Sequence, residues 1–259
     1  MELRHAALAV LCEPDPARKV RGARALGASP GTVDPGAVLE APPTLPGRPP
    51  RPVLVHHTQL VQRPLSTPEG RAALLHALAH IEFNAIDLAL DAVWRFAGMP
   101  EAFYTDWIRI ADEEALHFTL LRTHLVDMGF EYGDFPAHNA LWEMAERTRG
   151  DVLARIALVP RTLEARGLDA SPAVRAKLIG AGDRRAGEIL DVILRDEIGH
   201  VAAGNRWFAW LCEQRGLDLQ RTYAELVRLH EAPRPRGPFN LDARRAAGFT
   251  EAELAALSA

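Results

Sequence analysis

The sequence predicts an all-α fold, namely an antiparallel four-helix bundle with an extension at each end. Between residues 67 and 216, apolar residues recur in long runs at the spacing that places them on one face of a helix. Turn residues interrupt these runs at two equivalent places, Gly98–Pro100 and Gly180–Asp183. We therefore predict an N-terminal extension over residues 1–66 that packs on the bundle, the bundle over 67–216, and a C-terminal extension over 217–259.

The first bundle helix is predicted from its start and stop signals. Thr67 is a suitable N-cap, Pro68 fits the first helical position, and Gly98 follows the end of the apolar run. The elements predicted up to this point are weak helices at 2–11 and 15–26, an irregular segment rich in Pro and Gly at 27–52, and a helix from Thr67 to about Phe96.

Later helices are delimited by the same kinds of residue. Gly129 ends the second bundle helix, and an aromatic loop follows it. The segment Gly167–Pro172 is interpreted as a stop and a restart, with Ser171 as the new N-cap. The predicted helices are Glu101 to Met128, 141–148, 151–165, a short one at 174–179, Asp183 to Arg215, and a last one from Glu251 after a linker at 233–238.

The composition is that of an ordinary globular protein. The 259 residues are 48% hydrophobic and 25% charged, and the net charge of −4 gives no support for DNA binding. Cys12 and Cys212 are too few and too far apart for a disulfide framework or a zinc knuckle. No apolar run approaches the roughly 18 residues of a membrane span, and no secretory signal is evident. We expect a cytoplasmic protein that does not bind a membrane.

The apolar faces of the four bundle helices carry glutamate and histidine at matching positions. Two Glu-x-x-His pairs occur, and residues three apart share one face of a helix. A single glutamate precedes each pair, at intervals of 114−82 = 32 and 197−164 = 33 residues. The six candidate metal ligands are Glu82, Glu114, His117, Glu164, Glu197 and His200.

These six residues are the ligand set of ferritin-like bundles that hold two iron or manganese ions. Burying an unpaired charge costs several kcal/mol, and no Arg or Lys lies on the apolar faces beside the acids. Two divalent ions would neutralise the four carboxylates. Oxygen-rich ligands with one histidine per ion favour Fe, with Mn as the alternative, whereas structural zinc would favour thiolates. Glu82 and Glu164 are expected to be terminal ligands, and Glu114 and Glu197 bridging ones.

Three other features each admit two interpretations. Pro160 lies four residues before Glu164, where it either marks a functional break in the helix or is a tolerated kink. His76 and His80 could form a zinc pair, but they fall off the face of Glu82 and lack a third ligand, which favours a role beside the metal or in solvent. A group of arginines near the C-terminus either contacts a polyanion or is solvated: Arg234, Arg236, Arg244 and Arg245.

Several stretches resemble a bacterial ferritin-like family that is catalogued as a domain of unknown function. The resemblance implies a ferritin-like four-helix bundle with the six ligands named above. More distantly, the chain is similar to dimetal hydroxylases that modify tRNA, which share the bundle and the ligand arrangement. The stretches are Gly70–Leu90, Asp106–Trp107, Glu113–Phe118, Leu163–Asp169, Asp196–Val201, Pro238–Asn240 and Ala243–Phe249.

Three functions are compatible with this pattern. The first is an oxidoreductase whose di-iron site activates dioxygen or peroxide to oxidise or hydroxylate an unidentified substrate, with an electron donor as partner. The second is a ferroxidase or iron-handling protein, and the third is a non-catalytic, metal-stabilised interaction module. Whether the substrate is borne by tRNA and whether the chain forms a homodimer stay open. No catalytic residue beyond the metal ligands is identified.

Overall fold

Helices account for all the regular structure of residues 2–257, the part of the chain that the computed structural model describes. No strand occurs among these residues, although two isolated bridges do. The prediction of an all-α fold is therefore confirmed. The chain divides into two compact units, one up to Ala140 and one from Leu141 onwards. The predicted domain limits stay a prediction, because compactness does not measure which segments fold independently.

The first unit is built on two long helices that pack along each other, α3 (Pro68–Arg95) and α4 (Glu101–Asp127). Thr67 Oγ1 accepts the backbone N–H of Gly70 at 3.0 Å, so the predicted N-cap of α3 is present. The turn into α4 contains Gly98 at φ +76°, which an L side chain rarely adopts. The helices of this unit are α1 (Leu3–Leu11), α2 (Pro16–Ala28), α3 (Pro68–Arg95) and α4 (Glu101–Asp127), with a 3₁₀ turn at His57–Gln59.

Two buried cations attach the N-terminal segment to α3. Arg4 donates to the carbonyl oxygens of Val93 and Trp94, at 3.3 and 2.8 Å. Lys19 forms an ion pair with Asp87, and both side chains are fully buried. Because a buried charge without a partner is costly, these contacts order α1 and α2 on the long helices.

The second unit contains the remaining helices, of which α8 (Arg184–Gln214) is the longest. Asp183 caps α8 by accepting the N–H of Ala186 at 2.9 Å, as the sequence predicted for a helix that starts near Asp183. The elements are α5 (Ala140–Arg147, which starts at the unit boundary), α6 (Val152–Leu158), a π-helical turn (Val159–Glu164), α7 (Ala165–Gly180), α8 (Arg184–Gln214), α9 (Leu219–Leu229), α10 (Leu241–Ala246) and α11 (Glu251–Ala256).

The predicted break at Gly167–Pro172 is wrong, because α7 runs through it without interruption. Ser171 does not cap a new helix, since its hydroxyl donates to the Gly167 carbonyl at 2.7 Å within the same helix. Pro172 has no N–H for the carbonyl of Leu168, four residues earlier. That carbonyl instead accepts from Asn240 Nδ2 at 3.2 Å. Asn240 in the C-terminal segment therefore provides the hydrogen bond that Pro172 cannot donate to the Leu168 carbonyl.

Helices α9 and α10 were not predicted from the sequence. In α9 only Thr222 and Leu226 are buried, so its apolar face is narrow. The start of α10 depends on α7, because Asp169 accepts the backbone N–H of Asn240 at 3.0 Å. A small apolar cluster holds α10 against α7 and α8; it comprises Ala165, Leu168, Val201, Ala243 and Ala247.

Helix α3 is long and apolar enough to pass a test for membrane spans by length and composition. However, 72% of its most apolar window is buried inside the protein. The core helix of a globular protein passes the same test, so this property does not by itself indicate a membrane span.

Candidate metal centre

Three of the candidate ligands meet in the first unit. Glu82 projects from α3, and Glu114 and His117 project from one face of α4 because they are three residues apart. One ligand atom from each residue lies within 4.8 Å of the others. His117 Nδ1 is 3.3 Å from Glu82 Oε2 and 3.2 Å from Glu114 Oε2. Glu82 is 5% exposed and the other two are fully buried.

Burial and their mutual charges shift the pKa values of Glu82 and His117 in this trio. Burial raises the pKa of Glu82 well above its ordinary value, and the charge of Glu114 raises it further. Burial alone would lower the pKa of His117, but its hydrogen bonds to Glu114 and Glu82, and the charges of these carboxylates, raise it to about 11. Without a metal ion, a protonated imidazole therefore balances the carboxylates.

This donor set fits a divalent metal ion. Two carboxylates and an imidazole are ligands that iron and manganese accept, and the ion would take the place of the His117 proton. Glu82, Glu114 and His117 could thus hold a metal ion. The neighbouring Glu113 belongs to the surface instead, because it forms hydrogen bonds of 2.9 and 2.7 Å to Arg109.

The second unit carries the other three candidates. Glu197 and His200 repeat the three-residue spacing on α8, and His200 Nδ1 is 3.7 Å from Glu197 Oε1. His200 is fully buried, Glu197 is 8% exposed, and Glu164 is half-buried. Glu164 is the last residue of the π-helical turn that precedes α7. In the second unit, Glu197 and His200 therefore lie close together on α8, and Glu164 lies at the end of the π-helical turn.

The π-helical turn has identifiable causes. Pro160 lies at its start and cannot donate to a helix hydrogen bond. Thr162 Oγ1 donates to the carbonyl of Ala157, five residues earlier, at 2.7 Å. On the facing surface of α8, a Cβ added to Gly204 would lie 2.8 Å from Pro160 Cβ. The widened turn thus needs a residue without a side chain opposite it. Such turns often occur at functional positions.

His76 and His80 hold the loop that follows α4. The His138 carbonyl can only accept, so His80 Nε2 donates to it at 3.2 Å, and Nδ1 accepts from the Tyr132 hydroxyl at 2.8 Å. His76 Nε2 accepts the N–H of Gly133 at 2.9 Å. Both histidines are buried, so the expected solvent role is wrong, and their contacts are those of loop anchors.

Tyr132 is the residue near the first-unit trio that sequence reasoning missed. Its ring centroid lies 5.6 Å from that of Phe83 and 5.0 Å from that of Phe118, which follow Glu82 and His117 in sequence. Burial raises the pKa of the Tyr132 hydroxyl. The aromatic character of the loop was the only signal in the sequence, and it did not indicate which ring would be buried.

Comparisons with known proteins place the chain in a family. Residues 12–255 match the family described as "Protein of unknown function (DUF455)". A protein of Haemophilus influenzae with the name "Uncharacterized protein" is 50% identical over 213 residues, which are 80% of this chain and 74% of that protein. This chain belongs to the family described as a protein of unknown function, DUF455. No solved structure matches. The resemblance to a family of unknown function is therefore confirmed, whereas its ferritin-like character stays a prediction.

Proposed function

We propose that this protein is a di-iron oxidoreductase, which uses dioxygen or peroxide to oxidise or hydroxylate a substrate. The observation that carries the proposal is the buried trio of Glu82, Glu114 and His117, whose ligand atoms lie within 4.8 Å of one another. Burying two acids and a histidine together is costly unless their charges are balanced. A bound divalent ion explains all three.

The second-unit candidates extend the site from one ion to two. Glu197 and His200 repeat the spacing of Glu114 and His117, and Glu164 supplies the remaining carboxylate. Four carboxylates and two imidazoles match the ligand set of dimetal bundles. In this proposal Glu114 and Glu197 would be the ligands shared by the two ions, and Glu82 and Glu164 would each be a ligand of one ion. Iron is the proposed metal, and manganese is the alternative.

The proposed function gives separate roles to the bound iron, to His117 and to two buried phenylalanines. Bound iron would supply redox chemistry and open coordination positions for dioxygen or peroxide. His117 would give up the proton that it holds without metal and would bind through Nδ1. Phe83 and Phe118, which follow Glu82 and His117 in sequence and have ring centroids 5.1 Å apart, are buried and would help to limit the access of water. A substrate and an electron donor are the partners that this reaction requires.

The test compares two neighbouring glutamates on α4. We would purify the wild-type protein without oxygen, load it with Fe²⁺, measure iron per chain by elemental analysis, and record optical spectra while oxygen is added. Glu114→Ala removes a candidate ligand, whereas Glu113→Ala removes a surface carboxylate that pairs with Arg109. We expect about two irons per chain and oxygen consumption in the wild type and in Glu113→Ala, and loss of both in Glu114→Ala.

Other results would change the conclusion in defined ways. A wild-type protein that binds no iron or manganese contradicts the proposal. Two irons that are oxidised while oxygen is reduced, and that are then released with no substrate oxidised, would indicate iron handling instead of substrate oxidation. Two irons that never react with oxygen would indicate a metal-stabilised module.

A further inference from the structure

A buried arginine belongs to the same π-helical turn as the candidate ligand Glu164. Arg161 is 4% exposed and lies three residues before Glu164. Its Nη1 donates to Asn205 Oδ1 on α8 at 2.5 Å. Its Nη2 donates to Glu253 Oε1 on α11. The turn is therefore linked by a hydrogen bond to α8 and by an ion pair to α11 in the C-terminal segment.

Aromatic rings enclose the same guanidinium group. The Arg161 Cζ lies 5.0 Å from the ring centroid of Phe208, 4.9 Å from that of Tyr223 and 5.0 Å from that of Phe249. These distances are within the range of cation–π attraction. Tyr223 also reaches the turn directly, because its hydroxyl lies 2.9 Å from Thr162 Oγ1. Three different parts of the second unit thus converge on this turn.

The C-terminal partner is itself held in place. Glu253 Oε2 accepts from the backbone N–H and the hydroxyl of Thr250, at 2.8 and 2.9 Å. Asn205 Nδ2 donates to the Ala247 carbonyl at 2.7 Å. Burial would raise the pKa of Glu253, but the charge of Arg161 and the Thr250 hydrogen bonds lower it overall. The segment from Ala247 to Glu253 therefore presents a fixed carboxylate to Arg161.

Contacts from other elements supplement the backbone hydrogen bonds of the π-helical turn. Pro160 removes one backbone donor from the turn, and Arg161 and Thr162 link the turn to α8, α9 and α11. The carboxylate of Glu164 projects from the end of this turn. A metal ligand is effective only when its orientation is held by surrounding contacts.

We propose that Arg161 is a positioning residue for Glu164, and that its ion pair with Glu253 allows the segment 247–253 to hold the π-helical turn in the shape that presents Glu164 to a metal ion. This inference rests on the proposed function, because it takes Glu164 as a ligand. It assigns the C-terminal segment a role in the metal site, which the family match and the sequence pattern do not.

Arg244 provides a matched control. It is 3% exposed, forms hydrogen bonds of 2.9 and 2.6 Å to Asp169, and lies 5.1 Å from the ring centroid of Phe249. It therefore resembles Arg161 in burial, charge partner and aromatic contact. However, its partners on α7 follow Glu164: its charge partner Asp169 lies in a regular part of the helix, and the Ala165 carbonyl accepts only a long hydrogen bond from it, at 3.4 Å. Its loss should lower stability without altering the turn.

The experiment uses Co²⁺ as a probe, because its visible absorption bands report the number and arrangement of its ligands. We would titrate full-length metal-free wild type, Arg161→Met, Glu253→Gln and Arg244→Met with Co²⁺ in the absence of oxygen. Urea unfolding of each metal-free protein would measure stability separately. We expect Arg161→Met and Glu253→Gln to bind Co²⁺ at least about tenfold more weakly at one of two sites, with altered bands. Arg244→Met should retain the wild-type bands and affinity despite its lower stability.

Each alternative outcome bears on the proposal. If Arg161→Met does not fold, Glu253→Gln, which keeps the size of the side chain, carries the test. Wild-type affinity and bands in the folded Arg161 and Glu253 variants would overturn the positioning role while leaving the proposed function intact. Equal changes in Arg244→Met would reduce the effect to general stability and would also overturn it. A wild-type protein that binds no Co²⁺ would refute both the positioning role and the proposed function.

Discussion

His117 decides how the buried charges of the first unit respond to pH. Its Nδ1 lies between Glu82 and Glu114, and those two carboxylates hold the proton on the ring. The folded pKa of His117, about 11, exceeds the reference value of 6.5. A raised folded pKa contributes stability that is fully present below the unfolded pKa and is lost as pH rises through the folded one. The raised pKa of Glu82 acts in the same direction.

The metal-free protein should therefore become less stable as pH rises from about 6.5 towards 11. We expect the metal-loaded protein to depend on pH less, because the ion holds the same side chains without the His117 proton. Urea unfolding at a series of pH values would measure both forms. In the His117→Gln variant, most of the difference in pH dependence between the metal-free and the metal-loaded protein should be lost above pH 6.5. A metal-free wild type whose stability increases steadily over this range would contradict the assignment.

His76 should produce the opposite dependence in acid. Burial lowers its pKa to about 4, although Asp134 raises it slightly, so its contribution is present above the unfolded pKa and is lost as pH falls from about 6.5 towards 4. At 1.36 kcal/mol per pKa unit, the loss amounts to roughly 3 kcal/mol.

The substitution His76→Gln should reduce this acid sensitivity. The glutamine oxygen can accept the Gly133 N–H in place of Nε2 and does not titrate. The difference in unfolding free energy between pH 7 and pH 5, measured in urea, should be smaller in the variant than in the wild type. His57→Gln, at an exposed position, should leave the difference unchanged. An unaltered difference in His76→Gln would show that another group causes the acid sensitivity.

At the scale of elements, the π-helical turn and α8 depend on each other. Gly204 is the point of closest approach, since an added Cβ would lie 2.8 Å from Pro160 Cβ and 3.1 Å from Pro160 Cγ. The proline ring is rigid and cannot move aside as a long side chain could. Relief would require movement of the turn that ends in Glu164.

Gly204→Ala should destabilise the protein by about 1–3 kcal/mol, the usual effect of overpacking, and should weaken binding of the second metal ion. Gly199→Ala is the control, because it lies on the same helix and an added Cβ meets nothing within 4 Å. Alanine has the higher helix propensity, so this control should raise stability by up to about 1 kcal/mol. Urea unfolding and metal titration measure the two effects. A stabilised Gly204→Ala variant would mean that the turn adapts without strain.

At the scale of the whole molecule, each compact unit has its own apolar core. Helices α3 and α4 of the first unit bury large aromatic side chains, including Phe83, Phe103 and Phe118. In the second unit, α7, α8 and α10 share an apolar cluster that contains Leu168 and Val201. Metal-dependent folding is typical of domains too small to have such cores.

Removal of metal should therefore leave the protein helical and cooperatively folded. We expect far-ultraviolet circular dichroism of the chelator-treated protein to retain a mostly helical spectrum, with a lower urea midpoint than that of the loaded form. Reloading with Fe²⁺ should restore the midpoint. A metal-free protein that is unfolded between pH 5 and pH 8 would instead indicate a structural metal and would weaken the proposed enzyme activity.

Local patterns of residues were enough to predict the class of the fold, the long helices and the candidate ligands. Thr67 and Asp183 cap α3 and α8 through hydrogen bonds to residues three positions away. The apolar period and the turn glycines are equally local. The trio of Glu82, Glu114 and His117 was predictable because helical phase orients each side chain relative to its own apolar face. Each of these signals involves residues that lie within about one helical turn of each other in the sequence.

Features that depend on distant residues could not be predicted from such local patterns. Helix α7 continues through Pro172 because Asn240, 72 positions from Leu168, supplies the missing donor. Arg161 is buried because Glu253, 92 positions away, neutralises it. The loop contacts of His76 likewise span 57 positions. In each case, a polar group is tolerated in the interior only when a partner arrives from elsewhere in the chain, and a periodicity over one helix contains no information about that partner.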